Sequence, residues 1–305
     1  IGGMTIPAMK DEGYDPDYSA ALSSAASLLG PMIPPSITLI VYAGLTEASV
    51  QKLFLATLTP AILCTVAFLA YTLWYGKKKN LPKQPKKTAK EAGKIMLDAI
   101  WALLLPVIVL GLIFSGATTV TEAAAVSCLY SAVVSLFIYK TITFKDLLKI
   151  LGDSAVSIAA IMILVGMSKA TAYVVISSQM PQLFMDFITS ITDSRFVVLL
   201  IINVIFLILG CLMEGNCIIV MMVPLLLTLV KSFGIDLLQF GVMSAINIYI
   251  GCITPPVGVS LLLGCKLGKT SVGGTFKAIL PFFAISMVIL ILVTYWPSFT
   301  LWLIH

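Results

Sequence analysis

The chain has 305 residues, of which 59% are apolar and only 11% charged, with a net charge of +5. A water-soluble domain carries about a quarter charged residues, so this composition excludes an ordinary soluble surface and points to lipid as the solvent. The single histidine, His305, excludes Ser-His and multi-histidine metal chemistry, and the six cysteines form no Cys-x-x-Cys pair, so neither a disulfide framework nor a zinc site is supported.

No signal peptide is visible, and the chain opens at Ile1 inside what reads as the tail of an element. An N-terminal part is therefore expected to be missing or encoded elsewhere. Residues 18–45 read as an apolar helix interrupted at Gly30-Pro31-Met32-Ile33-Pro34-Pro35. Residues 50–75 read as a span ending in the interfacial pair Trp74-Tyr75. Residues 76–94 then carry eight of the nineteen basic residues against one acid, Glu91. Flanked by spans, this run reads as a cytoplasmic loop under the positive-inside rule and not as a nucleic-acid tail. Residues 95–114 and 122–139 form two further spans, the second followed by Lys140, Lys145 and Lys149. Residues 150–176 span again, and 177–192 either recross or lie in the interface. Residues 196–213 span. Residues 214–230, with Pro224, read as too short to cross alone and as part of a re-entrant hairpin. Residues 237–264 hold a second interrupted helix, and 276–303 form the last span with Tyr295, Trp296 and Trp302 near its end.

The two interruptions are one motif written twice. Gly30 to Pro35 recurs as Gly251-Cys252-Ile253-Thr254-Pro255-Pro256, 221 residues on, and Gly13-Tyr14-Asp15 recurs at the same spacing as Gly234-Ile235-Asp236. Ser49-Val50 and Phe54 recur as Ser271-Val272 and Phe276. A Gly/Pro-interrupted apolar segment in matching places of two halves is the sequence pointer to a transporter's binding site. The helix after the first break runs toward the lysine-rich loop. Its counterpart starts from Lys266, Lys269 and Lys277 and runs away from it. The copies are therefore expected to be inverted, a scheme that has residues 150–195 cross twice or not at all.

Proline removes a backbone donor and disrupts the helix above it, and pre-proline geometry pushes Thr254 and Pro255 out of the helical region. The carbonyls so freed need a polar neighbour, water or a cation inside a membrane. Unwound carbonyls and half-helix C-termini suit sodium, half-helix N-termini suit an anion, and Thr254 adds a hydroxyl oxygen. Gly210-Cys211-Leu212-Met213-Glu214-Gly215-Asn216 is a second candidate site, with Glu214 either a functional buried acid or a surface-loop acid, and Gly215-Asn216 at a hairpin tip. Met221-Met222-Val223-Pro224 is similar to Met4-Thr5-Ile6-Pro7, which puts the partner of Asn216 before Ile1. Asp98, Glu122 and Asp153 read as solvated, and Lys169 as snorkelling or paired with Asp186. Gly264 to Thr270 is one residue short of a phosphate loop, so ATP is not the energy source and an ion gradient remains.

These residues resemble the large membrane subunit of tripartite ATP-independent periplasmic (TRAP) transporters. The likeness covers the whole chain. It is carried by Ile6-Pro7-Ala8-Met9-Lys10 with Gly13-Tyr14-Asp15, by Gly30 to Ser36, by Thr121-Glu122 after Ser115-Gly116, and by Gly251 to Gly258. It implies an all-α polytopic inner-membrane protein with an inverted repeat, re-entrant hairpins and two broken helices. The mechanism implied is elevator-type sodium symport of an organic anion, a carboxylate such as a C4-dicarboxylate or a sialic acid. It implies two partners, a small four-helix membrane subunit and a periplasmic binding protein. Residues 1–48 and 150–273 are then expected to form the transport domain, with 49–149 and 274–305 as scaffold. By position, Gly30, Ile33 and Pro34 supply one sodium, and Gly210, Gly251, Thr254 and Val257 the other. Glu214, Asn216, Pro35, Ser36 and Pro256 are expected to face the substrate. No cofactor is implied beyond the coupling sodium ions. The family's small Ser/Gly hairpin motif is expected before Ile1, and the family more often has Asp where this chain has Glu214. Two other readings stay open: a stand-alone divalent-anion or proton-coupled carrier, and a non-transporting scaffold or channel.

Overall fold

A computed structural model of the chain describes residues 2–79, 81 and 88–304. The described residues are predominantly helical, with no strand among them. Seven helical stretches among them are long and apolar enough to cross a bilayer, so the chain is an all-α, multi-pass membrane protein.

The first unit, residues 1–82 and 167–305, contains both interrupted helices. It opens with α1 (Gly2–Asp11), α2 (Pro16–Ser27), the short turn α3 (Leu29–Met32), α4 (Ile37–Thr46) and α5 (Val50–Lys78). After the second unit come α9 (Met180–Ile191), α10 (Arg195–Leu212), α11 (Gly215–Ser232), α12 (Leu237–Cys252), α13 (Val259–Gly268), α14 (Val272–Tyr295) and α15 (Pro297–Leu301).

The duplication is built into the start and stop signals of these helices. Asp15 caps α2 by accepting from Tyr18 N–H, and Asp236 caps α12 by accepting from Leu238 and Gln239 N–H. Gly13 and Gly234 precede them at φ +86° and +60°, a left-handed turn that glycine enters without steric cost. Ser49 caps α5 and Ser271 caps α14 through their hydroxyls. Glu47 and Lys269 end α4 and α13 in the left-handed conformation. Both Pro34-Pro35 and Pro255-Pro256 are cis.

Elements of the two halves interleave. α13 and α14 pack on α2, while α4 packs on α11 and α12. Tyr42 of α4 is fully buried and donates to the Leu237 carbonyl at 2.6 Å, with its ring where a β-carbon on Gly241 would otherwise sit. Phe282 of α14 meets Phe68 and Tyr71 of α5 edge-on. Polar side chains in these helices bond one another, as groups in hydrocarbon must. Asn247 donates to the Asn203 side-chain oxygen at 2.7 Å, Asn203 donates to Thr294 at 3.1 Å, and Gln239 donates to the carbonyls of Val293 and Thr294. All six cysteines are free.

The second unit, residues 83–166, holds α6 (Ala89–Phe114), α7 (Val120–Val133) with a π-helical end at Val134–Ile138, and most of α8 (Phe144–Ser177). Capping boxes start α6 at Thr88/Glu91 and α7 at Thr119/Glu122. Tyr130 and Tyr139 donate to the carbonyls of Trp101 and Asp98, tying α7 and its π-helical end to α6.

Three expectations change. α11 has 18 residues and enough apolar character to cross, so length does not mark 214–230 as too short. α9 has 12 residues, about 18 Å of helix against a hydrocarbon core of about 30 Å, and is too short to recross alone. α8, at 34 residues, is long enough for one crossing. α10 and α11 are equal arms of 18 residues each. Read as a hairpin they return the chain to the side it left, so one crossing in α8 satisfies the lysine pattern without an even number in 150–195. Lys83, Lys86 and Lys87 and the side chain of Lys169 lie outside the described residues.

Candidate functional site

At the first break, α3 stops at Met32 and Ile33 turns extended, its N–H bonding the Leu29 carbonyl. Ser36 starts α4 in an extended conformation but makes no capping hydrogen bond. Its hydroxyl is buried and has no hydrogen-bond partner among the described residues. Pro34 is buried beside it, while Gly30, Ile33 and Pro35 are exposed. Among the described residues, no N–H donates to the carbonyl oxygens of Ile33, Pro34 or Pro35. The backbone is extended at Ile33 and again at Ser36, so no following N–H folds back onto these carbonyls, and the hydrogens that Pro34 and Pro35 lack are those that would have reached the Gly30 and Pro31 carbonyls.

The second break repeats the arrangement. Thr254 N–H bonds the Gly251 carbonyl at 2.8 Å and its hydroxyl donates to the Ile250 carbonyl at 2.8 Å. The carbonyls of Ile253, Thr254, Pro255, Pro256 and Val257 receive no N–H among the described residues. Gly258 stands at φ +43°, and a β-carbon there would lie 2.6 Å from the Thr254 carbonyl oxygen and 3.2 Å from that of Cys252. Those two oxygens therefore converge on one point. Pro256 and Val257 are exposed.

The hairpin meets this break backbone to backbone. A β-carbon on Gly251 would lie 2.5 Å from both the Cα and the carbonyl carbon of Gly210, and one on Gly210 would lie 2.6 Å from the Ile248 carbonyl oxygen. Gly258 N–H then bonds the Cys211 carbonyl at 3.0 Å. Gly210, Gly251 and Thr254, expected together, are together. Val257 follows in the same loop.

Glu214 is exposed and not a buried charge. It caps α11: one carboxylate oxygen accepts from the N–H groups of Asn216 (3.0 Å) and Cys217 (3.2 Å), the other from the Asn216 side-chain amide (2.9 Å). Anionic caps at helix N-termini are favourable. The Asn216 amide oxygen accepts from Thr38 at 3.0 Å, and Thr38 is also hydrogen-bonded to the Tyr249 hydroxyl. Gly215 lies flat on Ile248 and the Tyr249 ring. Glu214 and Asn216 are thus joined to both broken helices through Thr38 of α4 and Tyr249 of α12. Sequence reasoning passed over these two residues. Their signal was a polar side chain two residues after Ser36 and another two before Gly251. Pro35 and Ser36 precede Thr38 in the chain, and neither side chain is hydrogen-bonded to this cluster among the described residues.

The first break, the tip and the second break hold no lysine, arginine or histidine: none occurs in residues 30–38, 210–217 or 247–258. Main-chain N–H groups at helix starts supply positive potential there. α11 is capped by Glu214, whereas α4 and α13 have no side-chain cap.

Comparison with known proteins agrees with this construction. Residues 1–299 match the family described as the tripartite ATP-independent periplasmic transporter, DctM component. The chain is 36% identical over 301 residues to the C4-dicarboxylate TRAP transporter large permease protein DctM of Pseudomonas aeruginosa, covering 99% of this chain and 70% of that one. It is 34% identical over 301 residues to the sialic acid TRAP transporter large permease protein SiaM of Vibrio cholerae, with the same coverage. It is 31% identical to the 2,3-diketo-L-gulonate TRAP transporter large permease protein YiaN of Escherichia coli, covering 98% of this chain and 70% of that one. These relatives are permease components and not enzymes. With its paired Gly/Pro breaks and its acid-capped hairpin tip, the chain belongs to the DctM component family of tripartite ATP-independent periplasmic transporters.

Proposed function

We propose that this chain performs sodium-coupled symport of an organic anion across the bacterial inner membrane, as the large subunit of a tripartite transporter. A soluble periplasmic receptor delivers the solute and a small membrane subunit completes the complex. The observation that carries the reading is the pair of matched breaks whose carbonyl oxygens have no backbone donor. Such oxygens, deep in a membrane, are ligands for a hard monovalent cation. Gly210, Gly251, Thr254 and Val257 hold one sodium. Gly30, Ile33 and Pro34 contribute to another, which the orphaned Ser36 hydroxyl also serves. The absence of any cationic side chain from the breaks and the tip supports coupling, because an anion then depends on the ions and the uncapped starts of α4 and α13 for its charge balance. The relatives' names, which cover C4-dicarboxylates, sialic acid, 2,3-diketo-L-gulonate and the sulfonate isethionate, support an organic acid as the solute class, and we take that acid to be a carboxylate. The hairpin tip and broken helices form a transport body that moves by an elevator mechanism.

The test is uptake in proteoliposomes holding the complete transporter, with and without an inward sodium gradient. Uptake is expected only with sodium. Thr254→Val removes a hydroxyl oxygen whose lone pairs remain free while it donates to Ile250. It should raise the sodium concentration for half-maximal uptake about tenfold, the equivalent of one lost ligand worth about 1.4 kcal/mol, with normal membrane insertion. Uptake indifferent to sodium defeats the coupling, and no uptake with all partners present turns the reading toward a scaffold.

A further inference from the structure

The first broken helix, the second broken helix and the hairpin tip all meet at Thr38, and the protons at that junction can be placed. The Glu214 carboxylate fixes the Asn216 amide, since only its NH₂ end can face a carboxylate. The Asn216 oxygen therefore faces Thr38 and can only accept, which uses the one hydroxyl proton of Thr38. The bond between Thr38 and Tyr249 must then be donated by Tyr249. The result is a one-way chain: Tyr249 O–H to Thr38, Thr38 O–H to Asn216, Asn216 N–H to Glu214.

A one-way chain leaves particular valences for a solute. Tyr249 has given its proton away and keeps lone pairs only. Glu214 offers carboxylate lone pairs only. Tyr249 is half-buried and Glu214 exposed, so both stay within reach. A solute's carboxylate finds acceptors there and is repelled, while a solute's hydroxyl finds an acceptor for its proton. Resting on the transport reading above, we propose that Thr38 and Tyr249 are specificity-determining residues. They make the site prefer a carboxylate that carries hydroxyl groups over the same carbon skeleton without them.

The experiment uses the purified full-length permease with its membrane partner, titrated in sodium and in choline buffer. The probes are two matched pairs: L-malate against succinate, and galactarate against adipate. Thermal stabilisation reports binding. In sodium the hydroxylated acid of each pair is expected to bind about tenfold more tightly, the worth of one neutral hydrogen bond. Tyr249→Phe keeps the ring on which Gly215 rests and should bring the preference within about twofold. Thr38→Val, which cuts the chain one link further in, should do the same, and serves if the tyrosine variant is unstable. Sodium-dependent binding without a hydroxyl preference overturns the inference and leaves the transport reading standing. So does a preference that both variants retain. No sodium-dependent binding by any of the four acids overturns both.

Discussion

Gly251 has no room for a β-carbon, because the backbone of Gly210 occupies that space at 2.5 Å. A backbone cannot rotate aside as a side chain can, so Gly251→Ala must separate α10 from α12 and is expected to cost about 3 kcal/mol, the upper end of overpacking. Gly44, in α4 with nothing within 4 Å of its added carbon, is the control: Gly44→Ala should be neutral or stabilise by up to about 1 kcal/mol. Melting of the purified protein in detergent separates the two, and equal behaviour contradicts the close approach. Gly251 was visible in the sequence as part of a repeated motif. That its partner is Gly210 was visible only by resemblance, since a bare helix crossing leaves no periodic trace. Thr38 and Tyr249 were illegible for a related reason: each is one polar letter in an apolar run, and only the fold joins positions 211 residues apart.

At the scale of elements, helix starts explain the legibility of the repeat. Asp15 and Asp236, and Ser49 and Ser271, are caps, and a cap must be one of a few residue types at one position. Such letters persist where the apolar residues between them interchange freely. Ser271→Ala should therefore destabilise by about 1 kcal/mol, read as a lower melting temperature, and Ser271→Asp should recover it. The start of α6 responds to pH. Glu91 accepts from the Thr88 backbone N–H and hydroxyl, which holds its carboxyl below the ordinary 4.5. A depressed folded-state value means that the cap contributes above the ordinary value and is lost as pH falls through the depressed one. Amide exchange in the first turn of α6 should accelerate on acidification through that range and be insensitive to pH, beyond the intrinsic exchange rate, in Glu91→Gln. α9 and the length of α11 were poorly legible because a short amphipathic helix and a helix of just spanning length have compositions that overlap.

For the whole molecule, the membrane class followed from composition and from apolar runs of spanning length, the all-α architecture from the resemblance, and the breaks from proline chemistry. The division into residues 1–82 with 167–305, and 83–166, did not, because it depends on which helices touch, a property of faces shared by every span here. Under the sodium reading the ion is part of the fold's thermodynamics. Exchanging sodium for choline should remove about 2.7 kcal/mol of stability at a hundredfold excess over the dissociation constant, and chelators of divalent metals should do nothing. A melting temperature blind to this exchange contradicts ion binding at the breaks. One mechanical result comes from the contact between Gly210 and Gly251. Two peptide ribbons pressed together without intervening groups have no rotamers to reshuffle, so they cannot slip past one another by small steps. Under the transport reading, α10 and the interrupted helix it touches then travel as a single casting, and whatever flexes to expose the solute to either face of the bilayer flexes somewhere other than along that seam.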